Sequence, residues 1–173
     1  MEQRTRVISP LPPVYDTHSV LLILGTMPSP KSREIGFYYG HPQNRFWKVL
    51  SALFCQEIPS GREEKIRFLL EHRIALWDVL ASCDIAGASD ASIRRPIPND
   101  LRPLLRESGI RHIFTTGGKA AAFYRIYSLP QTGMAAISLP STSPANARMS
   151  LEALQEAYRP VWEVWRRETG RKV

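Results

Sequence analysis

Four short apolar runs punctuate the chain, at 20–24, 74–80, 110–116 and 135–139, and each leads into a turn containing Gly, Ser or Pro. The first is apolar without interruption, the pattern of a strand covered on both faces, and Gly25 closes it. Between the runs the apolar positions change to helical spacing. From Asn44 onward Phe46, Trp47, Leu50, Leu53 and Phe54 share one face, and in 62–72 Ile66, Leu69 and Leu70 do the same. Asn99 or Asp100 is placed to cap a short helix through Leu101, Leu104 and Leu105 that Ser108-Gly109 ends. Gly117-Gly118-Lys119 opens a helix over 120–127, and a last helix over 151–167 is expected to kink or restart at Pro160. Strands alternating with helices predict an α/β fold, a three-layer α/β/α arrangement with a central four-stranded parallel sheet. Ligands of such sheets bind beyond the carboxyl ends of the strands. Two stretches show no periodicity: the Pro-containing arm 1–19, read as extended or irregular, and 82–100, read as a long irregular loop.

The length, 173 residues, fits a single domain spanning 1–173. Composition adds a charge: Lys and Arg exceed Asp and Glu to give a net +7. A basic surface of this kind suits a polyanion such as nucleic acid. Cys55 and Cys83 are too few for a four-cysteine zinc or iron–sulfur site, so neither a metal nor another cofactor is implied. No run approaches the ~18 apolar residues of a membrane span, and the N-terminus lacks a signal-like apolar stretch. These features predict a soluble, cytoplasmic protein with no membrane partner.

The loop after the first strand holds most of the candidate chemistry: Thr26, Met27, Pro28 and Ser29, then Tyr38 and Tyr39, then His41 and Asn44. From the residues alone, Asn44 is a helix N-cap, Tyr39 an ordinary aromatic and His41 a structural histidine, while Ser29, Ser141 and Ser143 suit turns. The Gly117-Gly118-Lys119 turn has an anion-binding look but lacks the spacing of a nucleotide-hydrolysing loop. Arg94, Arg95 and the terminal Arg166, Arg167, Arg171 and Lys172 read as solvated surface.

Taken together and in order, GTMPS at 25–29, YGHPQNRFW at 39–47 and LPSTSPANA at 139–147 resemble the uracil-DNA glycosylase superfamily, most closely its hypoxanthine-DNA (DNA-deoxyinosine) glycosylase branch. The resemblance implies a monofunctional DNA repair glycosylase of that fold, acting as a monomer on double-stranded DNA that contains deaminated bases, chiefly hypoxanthine. Met27 stands where the uracil-specific and mismatch-specific branches carry Asp or Asn, and the catalytic amide falls instead to Asn44. That amide is expected to hold a water through its carbonyl, with its NH₂ on local backbone. Gly25, Thr26, Met27, Pro28 and Tyr39 would form the base pocket, Tyr39 stacking on the extruded base. Tyr38 competes for this stacking role. Ser29, His41, Gly117, Lys119, Ser141 and Ser143 would meet phosphates, Pro144, Ala145 and Asn146 would enter the duplex, and Arg148 would stand beside them. A uracil or mismatch-specific glycosylase and a non-catalytic nucleic-acid-binding domain are the competing readings.

Overall fold

The structure, a computed structural model, describes residues 3–173. Its strands are β1 (Thr5–Ile8), β2 (Leu21–Gly25), β3 (Ile74–Asp78), β4 (Leu80–Ile85), β5 (Arg94–Pro98), β6 (His112–Thr116) and β7 (Ala136–Leu139). Its helices are α1 (Pro30–Ile35), α2 (Phe46–Leu53), α3 (Gly61–Glu71), α4 (Arg102–Glu107), α5 (Gly118–Phe123), α6 (Leu129–Thr132), α7 (Leu151–Ala157) and α8 (Arg159–Thr169), with a π-helical stretch at Tyr124–Ser128 joining α5 to α6.

Four strands form a parallel sheet in the order β3-β2-β6-β7, as the four apolar runs predict. Alternate residues of β2 feed opposite faces. Leu21 and Ile23 join one apolar cluster with Phe46, Val49 and Leu50 of α2, Leu69 of α3, and Tyr158, Val161 and Trp165 of the C-terminal helices. Leu22 and Leu24 join the other, with Leu104 of α4 and Tyr124. Because β2 lies between these layers, all five of its residues are buried, and only uninterrupted apolar character suits such a strand. Pro160 restarts the final helix: α7 ends at Ala157, and the proline sits in the first turn of α8, where its missing N–H costs nothing.

The arm and the stretch 82–100 depart from the sequence reading. The run 74–80 is two elements, because the chain leaves the parallel sheet at Val79 and enters a three-stranded antiparallel sheet of order β1-β4-β5. Val7, Cys83 and Ile85 face the second apolar cluster, while Arg6 and Arg95 flank Asp84 at 3.3 and 2.5 Å on the outer side. Strand pairing and a shared carboxylate therefore order two segments whose Pro, Ser and Arg content reads as loop. The rest of the arm is tied down by Tyr38. This buried hydroxyl donates to Pro12 O at 2.7 Å, and Val14 pairs with Leu76 of β3.

Tyr38→Phe removes that donor and leaves the Pro12 carbonyl without it, which should lower stability by about 1–3 kcal/mol. Urea denaturation should register the loss as a lower midpoint with an unchanged slope.

Candidate active site

After β2 the chain passes to α2 and α3 on one face of the parallel sheet, and after β6 it passes to α5 and α6 on the other. The gap between the ends of β2 and β6 is therefore the point where loops diverge and a ligand crevice opens. Gly25, Asp78 and Thr116 end β2, β3 and β6 there. A Cβ on Gly25 would lie 2.5 Å from Asp78 Oδ1 and 3.2 Å from the Tyr39 hydroxyl, so only glycine admits both neighbours. The Tyr39 hydroxyl shares a hydrogen bond of 2.9 Å with Thr116 Oγ1, and its ring stacks on Phe46 with centroids 3.9 Å apart and planes at 11°. One ring face is thus backed by a fully buried phenylalanine. Tyr39 takes a left-handed backbone, φ 53°, a conformation that costs a non-glycine residue roughly 1 kcal/mol or more and is kept where surrounding contacts enforce it.

Beside this platform lies an unusual carboxyl. Asp78 Oδ2 is buried with no hydrogen-bond partner among the described residues. Burial, helped by the nearby Asp90 carboxylate, pushes the Asp78 carboxyl up to about 8. It is therefore mostly neutral at pH 7 and offers both a donor and an acceptor. Burial also raises Asp90, against the opposing pull of the Thr26 hydroxyl and the Lys119 ammonium.

Asn44 stands at the start of α2. Its Oδ1 accepts from Phe46 N and from Thr142 Oγ1, each at 2.9 Å, while Nδ2 has no partner among the described residues. The N-cap position is Arg45, without a side-chain cap bond, and Asn44, one residue before it rather than at the cap as read from the residues, accepts from the first helical N–H. The expected polarity is reversed, however: the carbonyl serves the helix end and Thr142, and the NH₂ is the free end. With both lone pairs engaged, Oδ1 has little left for a water. Next to it, the Arg45 guanidinium donates to the carbonyls of Ser143 (3.3 Å), Asn146 (2.9 Å) and Met149, and Arg45 N donates to Thr142 O at 3.1 Å. These contacts lock the loop after β7 against the start of α2.

Other residues singled out in the sequence take varied places. Met27 and Pro28 are buried, and Met27 packs into the second apolar cluster, so only their backbone can face a ligand. Tyr38 belongs to the first cluster, which leaves Tyr39 as the residue at the strand ends. Ser29 differs from its expected phosphate role, because its hydroxyl caps α1 through Ser32 N (3.1 Å) and donates to Ser32 Oγ. His41 Nδ1 accepts from Gln43 N, holding the turn before Asn44. Gly117, φ 91°, lies against Ser141, whose hydroxyl accepts from Ser143 N. Ser143 Oγ in turn accepts from Ala145 N. Asn146 is turned inward, its amide on Ser141 O at 2.9 Å, and braces the loop rather than projecting from it. Pro144 is half-buried, while Ala145, Ala147, Arg148 and Lys119 are exposed.

The profile of the uracil DNA glycosylase superfamily matches residues 12–166. The chain belongs to this superfamily. It is 32% identical over 140 residues, 80% of this chain and 88% of the relative, to a protein of Methanosarcina acetivorans named hypoxanthine DNA glycosylase. A protein of the same name from Methanosarcina barkeri is 34% identical over 84 residues, 48% of this chain and 53% of that one. A solution NMR structure from Methanosarcina acetivorans, described as a uracil DNA glycosylase, superposes with a TM-score of 0.75 at 30% identity, covering 91% of this chain and 99% of the other.

As a superfamily member, the chain has DNA as its substrate polymer. Sequence reasoning passed over Asp78, Thr116, Thr142 and Arg45 at the candidate site. Asp78 carried a signal, a lone acid within an otherwise apolar strand run. Thr142 sat unremarked between two serines that were chosen.

The neutral carboxyl makes a thermodynamic prediction. Between the ordinary aspartate value and about 8, the folded state holds a proton that the unfolded state has released, so stability declines as pH rises through this window. The slope from this group reaches about 1.4 kcal/mol per pH unit. Asp78→Asn should remove that component, so that the variant gains on wild type from pH 5 to pH 8 in parallel denaturant titrations. Parallel curves for the two proteins would show Asp78 to be ionised.

Proposed function

We propose that this protein is a monofunctional DNA-deoxyinosine glycosylase that extrudes hypoxanthine from double-stranded DNA and hydrolyses its N-glycosidic bond. The observation that carries this reading is the Asn44 amide, free at Nδ2, standing at the end of the HPQN run, in a chain whose relatives bear this activity in their names. The working form is the monomer, in the cytoplasm, and the substrate is duplex DNA that carries a deaminated base.

The flipped base lies on the open face of Tyr39, with Phe46 behind it. The Gly25 and Thr26 carbonyls are taken by Val79 N and Leu80 N, so the turn after β2 meets the base through N–H groups. Donors of this kind suit O6 and N7 of a purine. The Asp78 carboxyl, donor and acceptor at once, is placed to read the remaining edge. As the C1′–N9 bond breaks, the base leaves with the electron pair as a resonance-stabilised anion, and the sugar becomes an oxocarbenium ion. Water adds to C1′ and gives up its proton to the departing base or to solvent. Asn44 has no basic group to offer. It acts by placing an amide donor toward the departing base, where negative charge develops.

Matched duplexes containing hypoxanthine, uracil or xanthine, incubated with the protein and then treated with alkali, test the assignment. Hypoxanthine should be released fastest. Preferential release of uracil would favour the uracil branch, and release of none would leave a binding domain. Asn44→Ala should slow single-turnover excision by two orders of magnitude or more, about 2.7 kcal/mol of barrier, with DNA affinity little changed.

Strand cleavage without alkali would need an amine nucleophile of lowered pKa at the sugar carbon. Lys31 pairs with Glu34 on the surface at 3.2 Å, and Lys119 is exposed over Phe123. Neither stands beside Asn44 in a hydrogen bond. Borohydride present during turnover should therefore trap no protein–DNA adduct; an adduct that disappears on replacing either lysine would refute attack by water.

A further inference from the structure

Asn44 carries a positional difficulty of its own. A side-chain amide turns about a broad torsion and presents either its oxygen or its NH₂ in nearly the same outline. A site that needs one of these groups at a fixed place must hold the other. Phe46 N supplies one donor to Oδ1, and it belongs to the first residue of α2, two positions after Asn44. The second donor comes from far along the chain. Thr142 Oγ1, 98 residues away, donates to the same oxygen at 2.9 Å. Thr142 is almost completely buried. Its position is fixed in turn by its carbonyl, which accepts from Arg45 N at 3.1 Å.

Resting on the glycosylase reading, we propose that Thr142 is the positioning residue for Asn44: its hydroxyl, with Phe46 N–H, holds the carbonyl end of the amide and so directs Nδ2 toward the extruded nucleotide. Thr142 touches neither base nor sugar in this role. It acts through Asn44 alone. Because it is part of the loop after β7, whose exposed residues Ala145, Ala147 and Arg148 follow directly, the loop that meets DNA and the group that acts on the nucleotide form one hydrogen-bonded unit. Deletion of the hydroxyl leaves Oδ1 with a single donor. The amide is then held by Phe46 N–H alone and turns more readily, while the loop keeps its Arg45 contacts.

The test is single-turnover excision of hypoxanthine by wild type, Thr142→Val, Thr142→Ser, Asn44→Ala and the Asn44→Ala/Thr142→Val double variant, with affinity for an abasic duplex measured alongside. Thr142→Val, which keeps the shape and loses the hydroxyl, should slow excision by about 10–100-fold. Its affinity should stay within about threefold of wild type, and Thr142→Ser should restore most of the rate. In the Asn44→Ala background the valine should have no further effect, because the group it positions is gone. A readout without DNA comes from the Asn44 side-chain NH₂ pair in ¹H–¹⁵N spectra, which should shift in Thr142→Val and keep its wild-type position in Thr142→Ser.

A wild-type rate in Thr142→Val overturns the proposal, as does an equal further loss when the valine is added to Asn44→Ala, or a serine as defective as the valine. Should Thr142→Val fold poorly, Thr142→Ala applies the same criteria. Wild-type protein that releases no base overturns the glycosylase reading and this inference with it. Wild-type excision that is indifferent to Thr142 overturns this inference alone.

Discussion

The loop after β7 has no ladder or helix to satisfy its backbone, and one cation holds it against the start of α2. The Arg45 guanidinium spans the carbonyls of Ser143, Asn146 and Met149, acceptors that would otherwise lack this partner beneath a bent chain. A planar fork of N–H donors can do this in a way that the point charge of lysine cannot. Tyr158, in the C-terminal helical region, adds a bond of 2.6 Å to Pro140 O at the loop's base. The β7 side of the strand ends follows from this pinning. It seats Thr142 against Asn44, sets Ser141 beside Gly117, and leaves Ala145, Ala147 and Arg148 facing out.

Across the crevice a second constraint works by crowding rather than attraction. Gly25 gives up a side chain so that Asp78 and Tyr39 can close over the end of β2, and Tyr39 accepts a strained backbone to lay its ring on Phe46. Together these residues set an aromatic ring, backed by Phe46, beside a buried carboxyl at the end of β2. Burial suppresses the charge of that carboxyl.

The sheet was legible because its strands form short apolar runs, β2 without interruption, and period and punctuation then located the helices. The antiparallel sheet was not. Its strands hold Pro96, Pro98 and the arginines Arg6, Arg94 and Arg95, and what orders β1 is pairing with residues far along the chain, such as Thr5 with Ile85. Local pattern carries no trace of such partners. The site divides in the same way. Gly25, Tyr39 and Asn44 lie in one continuous stretch and could be found by motif. Asp78, Thr116 and Thr142 become neighbours of that stretch only through strand order, and the direction of the Asn44 amide depends on a donor that no local reading would connect to it.

That long separation has a consequence for how the protein comes into being on the ribosome. Phe46 and Tyr39 can meet early, since few residues lie between them. Gly25 must wait for β3, Tyr39 for β6, and Asn44 for Thr142, each step closing a longer loop than the last. The final strand of the parallel sheet and the loop beyond it are anchored by a helix that is translated later still. A nascent chain therefore passes through synthesis without a working centre until nearly its whole length has emerged. Truncated products carry the recognisable GTMPS and HPQN stretches yet remain inert toward the genome.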